Sequence, residues 1–493
     1  MAGRFTFGLL WSSAFIGLAS ARSTTSARQG ARAGDGLGLL QTARGQLRPA
    51  QDRAQRLLRT SPHRTPTSDA APRQRRRVGG DTPIPPLSEP NASTFIILEV
   101  SAFQDGDRCA LTLRRALERA AVPSRVKFHV VQARSDADEG CAESFRDRHL
   151  PVLCDSGPVR LDGETAGDCS KRVLHSAGFW TLPLEAGEGP AHQRGLANMV
   201  FDYEAEDAMC LSTDSHMDFA HGWDNTLIED WASTRNEFAV LTTYVAAAGS
   251  LSRPSEEILY TPGTMIELCG WNLENGIPRG RVGAMTPAPH DAAPPLTINW
   301  AAGMSFHRCH MERAVPVDWH LRWMFTGEEI DRAVRLFTSG YDMYSPTNLV
   351  VTHNYSHAVQ RFWSYGVGDQ DPTPARTRVE ELLRTSDEDP HPSQSWGRYG
   401  LGKQRTLEDF VRWSKIDLGD RWRTFLAEHD LTPMADGSGS QPEFCRSLER
   451  LPLRDAAALK ASVGSLRQPG AGVLARDEAD AGKEVNVLRQ ALV

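Results

Sequence analysis

Apolar and polar positions mark out alternating strands and helices from about Ser93 onward. Thr94 to Val100 (TFIILEV) is a β-branched apolar run that predicts a buried strand. Cys109 to Ala121 then carries Leu113, Leu117 and Ala120 on one helical face, and Val126 to Gln132 (VKFHVVQ) predicts a second strand. This βαβ unit opens an α/β domain of the kind that binds nucleotides. Further along, Val152-Leu153-Cys154 and Met209 to Leu211 predict short strands. Trp223, Leu227, Ile228 and Trp231 share a helical face, and Glu237 to Ala246 predicts another strand. Glu328 and Glu329 open a helix with Ile330, Ala333, Val334 and Phe337 on its apolar face and Gly340 as C-cap. Asn348 to His353 is a strand that ends on the histidine.

The ends of the chain read differently. Phe5 to Ser20 is an uncharged, mainly apolar stretch followed by a small-residue cleavage pattern, so residues 1–21 read as a signal peptide or short signal anchor. As a helix it would span about 24 Å, short of the roughly 30 Å hydrocarbon core. Its Arg-rich, acid-poor continuation also satisfies a transit peptide. Residues 22–92 read as a basic, disordered stem, residues 93–430 as the folded domain, and residues 431–493 as a loose polar tail.

Charge sharpens this division. Residues 1–90 hold 14 Arg and no Lys against five acidic residues, about +9, which leaves about −16 for the rest of a chain whose net charge is −7. An acidic folded part argues against nucleic acid as its partner. All eight cysteines lie at or beyond Cys109 and suit either disulfides in an oxidising compartment or buried thiols, with no pairing assignable. Asn91-Ala92-Ser93 is a glycosylation sequon at the domain edge, and Asn354-Tyr355-Ser356 is a second one.

The chemistry concentrates at Asp214-Ser215-His216, just after the apolar run from Met209. On an extended backbone the carboxylate and the imidazole point to the same side, and strand carboxyl ends are where open α/β sheets bind ligands. Asp and His so close are also common hydrogen-bonding partners, so the tripeptide alone leaves both readings open. His307, Cys309 and His310 lack the paired spacing of a structural zinc site. Gly397 to Lys403 imitates a phosphate loop but has Gln404 where Ser or Thr would bind magnesium.

Longer motifs carry a family resemblance. LSTDSHMDFAHGWD, residues 211–224, resembles the metal-site motif of polypeptide and hydroxyproline N-acetylglucosaminyltransferases, where D-S-H-M is followed by an aromatic residue and a Trp-Asp pair. FTGEEIDRAVRLFTSGYDMYSP, residues 325–346, resembles that family's F-x-G-E-E-I…R-L-x-T-x-G-Y-D-x-x-x-P block. Ser101 to Asp105 is similar to its Ser-x-Tyr-Arg-Asp nucleotide loop, with Phe103 and Gln104 replacing Tyr and Arg. Gly189 to Arg194 is similar to its Gly-Pro-x-x-Ala-Arg element, with Gln193 in place of Ala. Asn299 to Phe306 resembles an acceptor-side segment, and the likeness runs over about residues 94 to 420.

The resemblance implies a GT-A type nucleotide-sugar-binding fold with a mixed, mainly parallel central sheet flanked by helices. It implies a retaining transferase that moves N-acetylglucosamine from UDP-GlcNAc to a Ser/Thr or hydroxyproline hydroxyl of a protein acceptor. A divalent metal such as manganese would be held by Asp214, His216 and His353. Asp105 would hold the uridine, Arg194 would face the diphosphate or sugar, and Trp223 and Asp342 would contact substrate. Glu328, Glu329 and Asp224 would be the catalytic carboxylates. A non-catalytic sugar- or nucleotide-binding relative is the alternative, because Gln104, Gln193 and Asp218 depart from the family pattern. The N-terminal segment favours a Golgi or ER setting, with plastid and cytoplasm as alternatives.

Overall fold

The computed structural model describes residues 84–465 except 156, 158, 202–206, 249–262, 284, 289–292, 357–369, 386–395 and 435–440. Residues 1–21, read from sequence as a signal peptide or signal anchor, lie outside the described residues. The predicted βαβ unit forms as β1 (Ile96–Phe103), the helix Gly106–Arg119 and β2 (Val126–Arg134), with β1 and β2 parallel over their full length. β3 (Ala177–Pro183) adds beside β2 and β4 (Met209–Asp214) beside β1, both parallel. Beyond β4 lie β12 (Met304–Arg308), β6 (Ala239–Thr242) and β13 (Asp342–Tyr344), giving the order β3-β2-β1-β4-β12-β6-β13. β12 runs antiparallel to both its neighbours, while β13 is parallel to β6. The fold is therefore mixed α/β with a mainly parallel central sheet, as the alternating pattern predicts.

Each face of the sheet is covered because strands buried on both sides must find apolar partners on both. Ile96, Leu98 and Val100 of β1 pack against Leu113, Leu117, Trp223 and Trp231 from two helices. Ile97, on the opposite face, joins Val131, Leu196 and Ala197. Helices Glu328–Ser339, Thr373–Leu382, Leu407–Ser414 and Asp420–Glu428 build a further layer around Val334, Phe410 and Trp422. A second, three-stranded sheet stands at the carboxyl ends of the main strands: β5 (Met217–Phe219), β14 (Val351–His353) and β7 (Ala246–Ala247), while β8 (Thr264–Met265) pairs with β11 (Thr286–Pro287) and β9 (Trp271–Glu274) with β10 (Ile277–Gly280).

Several sequence expectations are corrected. Val152 to Cys154 belongs to a helix, Leu150–Asp155, whose Leu150, Leu153 and Cys154 are buried while Val152 faces solvent. The spacing i, i+3, i+4 is helical, and a three-residue apolar run cannot distinguish the two periods. The stem does not extend to residue 92 as a free segment. Ile84 bridges to Asn236, the Leu87 amide donates to Glu237, and Arg308 donates to the Ser88 carbonyl. The tail is also not loose throughout. Leu459 and Val463 pack with Phe238, Val240 and Leu336, and Cys445 is bonded to Cys269. All eight cysteines pair: Cys109–Cys141, Cys154–Cys169, Cys210–Cys309 and Cys269–Cys445. Among the described residues no helix is long and apolar enough to cross a membrane.

Candidate active site

Asp214 is the last residue of β4, beside Ser101 at the carboxyl end of β1. The chain turns there and returns as β5, which pairs antiparallel with β14 so that His353 stands opposite Met217. The Asn354 amide donates to the His216 carbonyl at 2.9 Å, which locks the two segments together. This register brings two imidazoles, 137 positions apart in sequence, to a ring separation of 4.5 Å in an edge-on arrangement. His353 Nε2 lies 3.3 Å from Asp214 Oδ2. The three residues predicted as metal ligands are thus neighbours.

Arg194, in the helix Pro190–Val200, closes the other side of Asp214. Its Nη2 donates to Asp214 Oδ1 at 2.6 Å, and its Nη1 contacts both oxygens of Glu328 at 2.9 and 3.0 Å. Glu328 is delivered by the helix Glu328–Ser339, which begins after Gly327 at φ +131 and ends on Gly340 at φ +99, the predicted C-cap. Burial raises the Asp214 carboxyl, but the His353 hydrogen bond and the Arg194 guanidinium outweigh it and hold the group well below the usual carboxylate range. Burial lowers the Arg194 guanidinium, and Glu328 and Asp214 overcome that and raise it. The cluster keeps its charges.

Glu329, the next carboxylate, behaves differently. Its Oε2 accepts the Tyr244 hydroxyl and its Oε1 accepts the Ala302 amide at 3.3 Å, placing it beside the Ala302-Gly303 turn. That turn also borders Asp214, since a Cβ at Gly303 would come 3.4 Å from Asp214 Oδ2. Burial pushes the Glu329 carboxyl up to about 7, against Tyr244 and Arg279, which pull it down. A carboxyl raised in the folded state stabilises fully below its ordinary value of 4.5, and that contribution is lost as pH rises through about 7. Thermal melts of the wild type and Glu329→Gln between these pH values should therefore show the wild type losing stability relative to the variant as pH rises. Parallel curves would mean that the carboxyl titrates normally.

The donor set suits a divalent ion. Adjacent ligands on an octahedral ion with bonds of about 2.1 Å lie about 3 Å apart, close to the Asp214–His353 separation. His216 Nδ1 is engaged by Asp105 at 2.7 Å, which leaves Nε2 as its free donor. His353 Nδ1 is buried with no hydrogen-bond partner among the described residues. Among the described residues, however, no three His, Cys, Asp or Glu side chains converge into a finished ion cage. The three-ligand set is a neighbourhood held by one direct contact, with His216 edge-on to His353.

Four residues expected to contact substrate or to act in catalysis have their polar groups taken up by protein partners. Asp224 is fully buried, accepts the Ala121 and Val122 amides at 2.6 and 3.0 Å, and is paired with Arg125 at 2.7 Å. It ties the end of the first helix to β2. Trp223 is fully buried and donates to the Ala116 carbonyl at 2.9 Å. Asp342 is buried between Arg405 at 2.8 Å and Asn236 at 2.8 Å. Asp105 is 3 % exposed and gives Oδ1 to Arg108 and Oδ2 to Ser215 and His216, which leaves little for a uridine. In each case a motif residue is satisfied by a partner distant in sequence, which sequence alone does not show. Tyr244, Arg279 and Tyr355 were missed. Tyr355 stacks on His353 at 4.0 Å, and its position two residues after a candidate ligand was the available signal.

The three departures from the motif pattern also have structural partners. Gln193 Nε2 donates to the Ala102 and Val131 carbonyls at 2.7 and 3.1 Å, Gln104 donates to Asp138, and Asp218 pairs with Arg119 at 2.8 Å. The histidines weighed as zinc ligands are committed as well, with Cys309 in a disulfide, His307 on Glu312 at 2.9 Å and His310 on Tyr341 at 2.9 Å.

A family model described as glycosyltransferase (GlcNAc) matches residues 95–419 of the 493. No curated protein matches the sequence. Among solved structures, GalNAc-T7 with UDP, GalNAc and Mn2+ is similar at 11 % identity and TM-score 0.37, covering 69 % of this chain and 55 % of that one. The chain thus spans about half the length of GalNAc-T7. The mannosyltransferase PcManGT from Pyrobaculum calidifontis, in complex with GDP-Man and Mn2+, is similar at 13 % identity and TM-score 0.31, covering 89 % of this chain and 91 % of that one.

Proposed function

The chain belongs to the GlcNAc glycosyltransferase family, and from that premise we propose that it transfers N-acetylglucosamine from UDP-GlcNAc to a Ser/Thr or hydroxyproline hydroxyl of a protein acceptor, with retention of anomeric configuration. The observation that carries the reading is the gathering of Asp214, His216 and His353 at the carboxyl end of β4, with Arg194 bridging Asp214 to Glu328.

In this reading Asp214, His216 and His353 hold a divalent ion, manganese by preference. When bound, the ion supplies Lewis-acid neutralisation of the charge that develops on the leaving diphosphate. Arg194 keeps Asp214 ionised and oriented through its contact with Oδ1, leaving Oδ2 toward His353. Glu328, with both oxygens on Arg194, holds that guanidinium in place. Glu329 is the better candidate to touch sugar or acceptor, because it is half-buried and its hydrogen bond from the Ala302 amide sets it beside the turn whose Gly303 borders Asp214. Tyr355 stacks on His353 and is 49 % exposed, which suits a platform at the acceptor side.

A secretory setting, with the N-terminal segment as cleaved signal or type II anchor, is part of the proposal. The pairing of all eight cysteines supports it, because disulfides persist in oxidising compartments. Incubating the protein with UDP-GlcNAc and a library of Ser-, Thr- and hydroxyproline-bearing peptides, with Mn²⁺ or with chelator, tests the activity. Sugar transfer that depends on the ion is the expected result. Undiminished transfer after chelation would sink the metal role, and donor binding without turnover on any peptide would favour the non-catalytic reading.

A further inference from the structure

We infer that Asp105 and Arg108 form a positioning pair that aims the two imidazoles of the metal site, an inference that rests on the metal set proposed above. Asp105 precedes the helix Gly106–Arg119 at its N-cap position, where an aspartate ordinarily accepts a first-turn amide. Here its side chain makes no such cap bond. Both oxygens are spent elsewhere. Oδ2 lies 2.7 Å from His216 Nδ1 and 2.9 Å from Ser215 Oγ, and Oδ1 accepts Arg108 Nε at 2.6 Å.

Arg108 extends the arrangement to the second imidazole. Its Nη1 donates to the Ser356 carbonyl at 3.1 Å, three residues after His353, while the Asn354 amide is held by the His216 carbonyl. One ion pair, buried at Asp105 and half-buried at Arg108, therefore grips the ring of His216 and the segment that leads out of His353. A carboxylate that accepts the Nδ1 proton fixes the imidazole tautomer with its Nε2 lone pair free for an ion. Asp105 touches no reacting atom in this assignment. It acts through His216, in place of the uridine contact that the sequence motif suggests.

The test is Mn²⁺ affinity, measured by titration calorimetry on the full chain, for the wild type and for Asp105→Asn, Asp105→Ala, Arg108→Gln and His216→Ala. Loss of such a hydrogen-bonded partner typically weakens metal binding about 10–100-fold, and that range is expected for both Asp105 variants. Arg108→Gln should weaken it in the same direction by less, and His216→Ala by more. Uridine binding without metal should be unchanged in Asp105→Asn. If Asp105→Ala does not fold, Asp105→Asn carries the test, because it keeps the shape of the side chain. Wild-type Mn²⁺ affinity in Asp105→Asn, with His216→Ala impaired, overturns the positioning pair and leaves the metal set standing. Loss of uridine binding with Mn²⁺ affinity intact likewise overturns it, in favour of a nucleotide contact. No Mn²⁺ binding by the wild type overturns the metal set and the inference together.

Discussion

Replacing His353 with alanine should lower turnover more than about 100-fold while costing only about 1 kcal/mol of stability. His353 is the last residue of β14, and its backbone pairing with β5 and β7 survives truncation of the ring. The folded state would lose one hydrogen bond of 3.3 Å to Asp214 and ring contacts with His216 and Tyr355. A metal set reduced from three protein ligands to two would lose far more. Excess Mn²⁺ should restore part of the rate, because the remaining ligands still bind weakly. Steady-state rates at rising Mn²⁺, together with denaturant unfolding, separate these effects. Near-normal turnover in a protein destabilised by about 1–3 kcal/mol would instead make His353 a structural residue and remove the main support for metal-assisted transfer.

Asp224→Ala should do the reverse, destabilising the fold by about 3–5 kcal/mol. The carboxylate is fully buried and Arg125 opposite it is 3 % exposed. Removing the acid strands a guanidinium away from water and also leaves the Ala121 and Val122 amides without their acceptor. Breaking a buried pair from one side costs more than the pair itself contributes, because the surviving charge has no solvent. Urea unfolding of the wild type and the variant gives the difference directly. The Mn²⁺ affinity of whatever remains folded should match the wild type. A variant with unchanged stability and abolished turnover would return Asp224 to the catalytic role that its Trp-Asp motif suggests.

The two predictions contrast two aspartates that look alike in the motif, ten positions apart. Asp214 ends the central strand β4 at its carboxyl end, where Arg194 reaches it from one side and His353 from the other. Asp224 sits in the first turn of the helix Trp223–Ser233, facing inward over the chain that links the first helix to β2. Both are charged and both have an arginine partner. Only Asp214 also meets an imidazole, His353, with the His216 ring edge-on behind it.

Local pattern by itself determined the strands of β1, β2 and β4, the helix from Glu328 to its Gly340 cap, and the placement of Asp214 and His216 at a strand end. Burial forces apolar periodicity on each of these segments, and a cap glycine is required where φ turns positive. What only the tertiary structure decided is which charges meet. His353 reaches Asp214 because β14 pairs with β5, and nothing in its neighbours along the chain encodes that register. Asp105 turns to His216, Asp224 to Arg125 and Asp342 to Arg405, and each cysteine finds its partner, through contacts between segments far apart in sequence. A carboxylate in a motif looks the same whether it will face an ion, an arginine or a backbone amide, because its role is set by the group opposite it in space and by how much water remains between them.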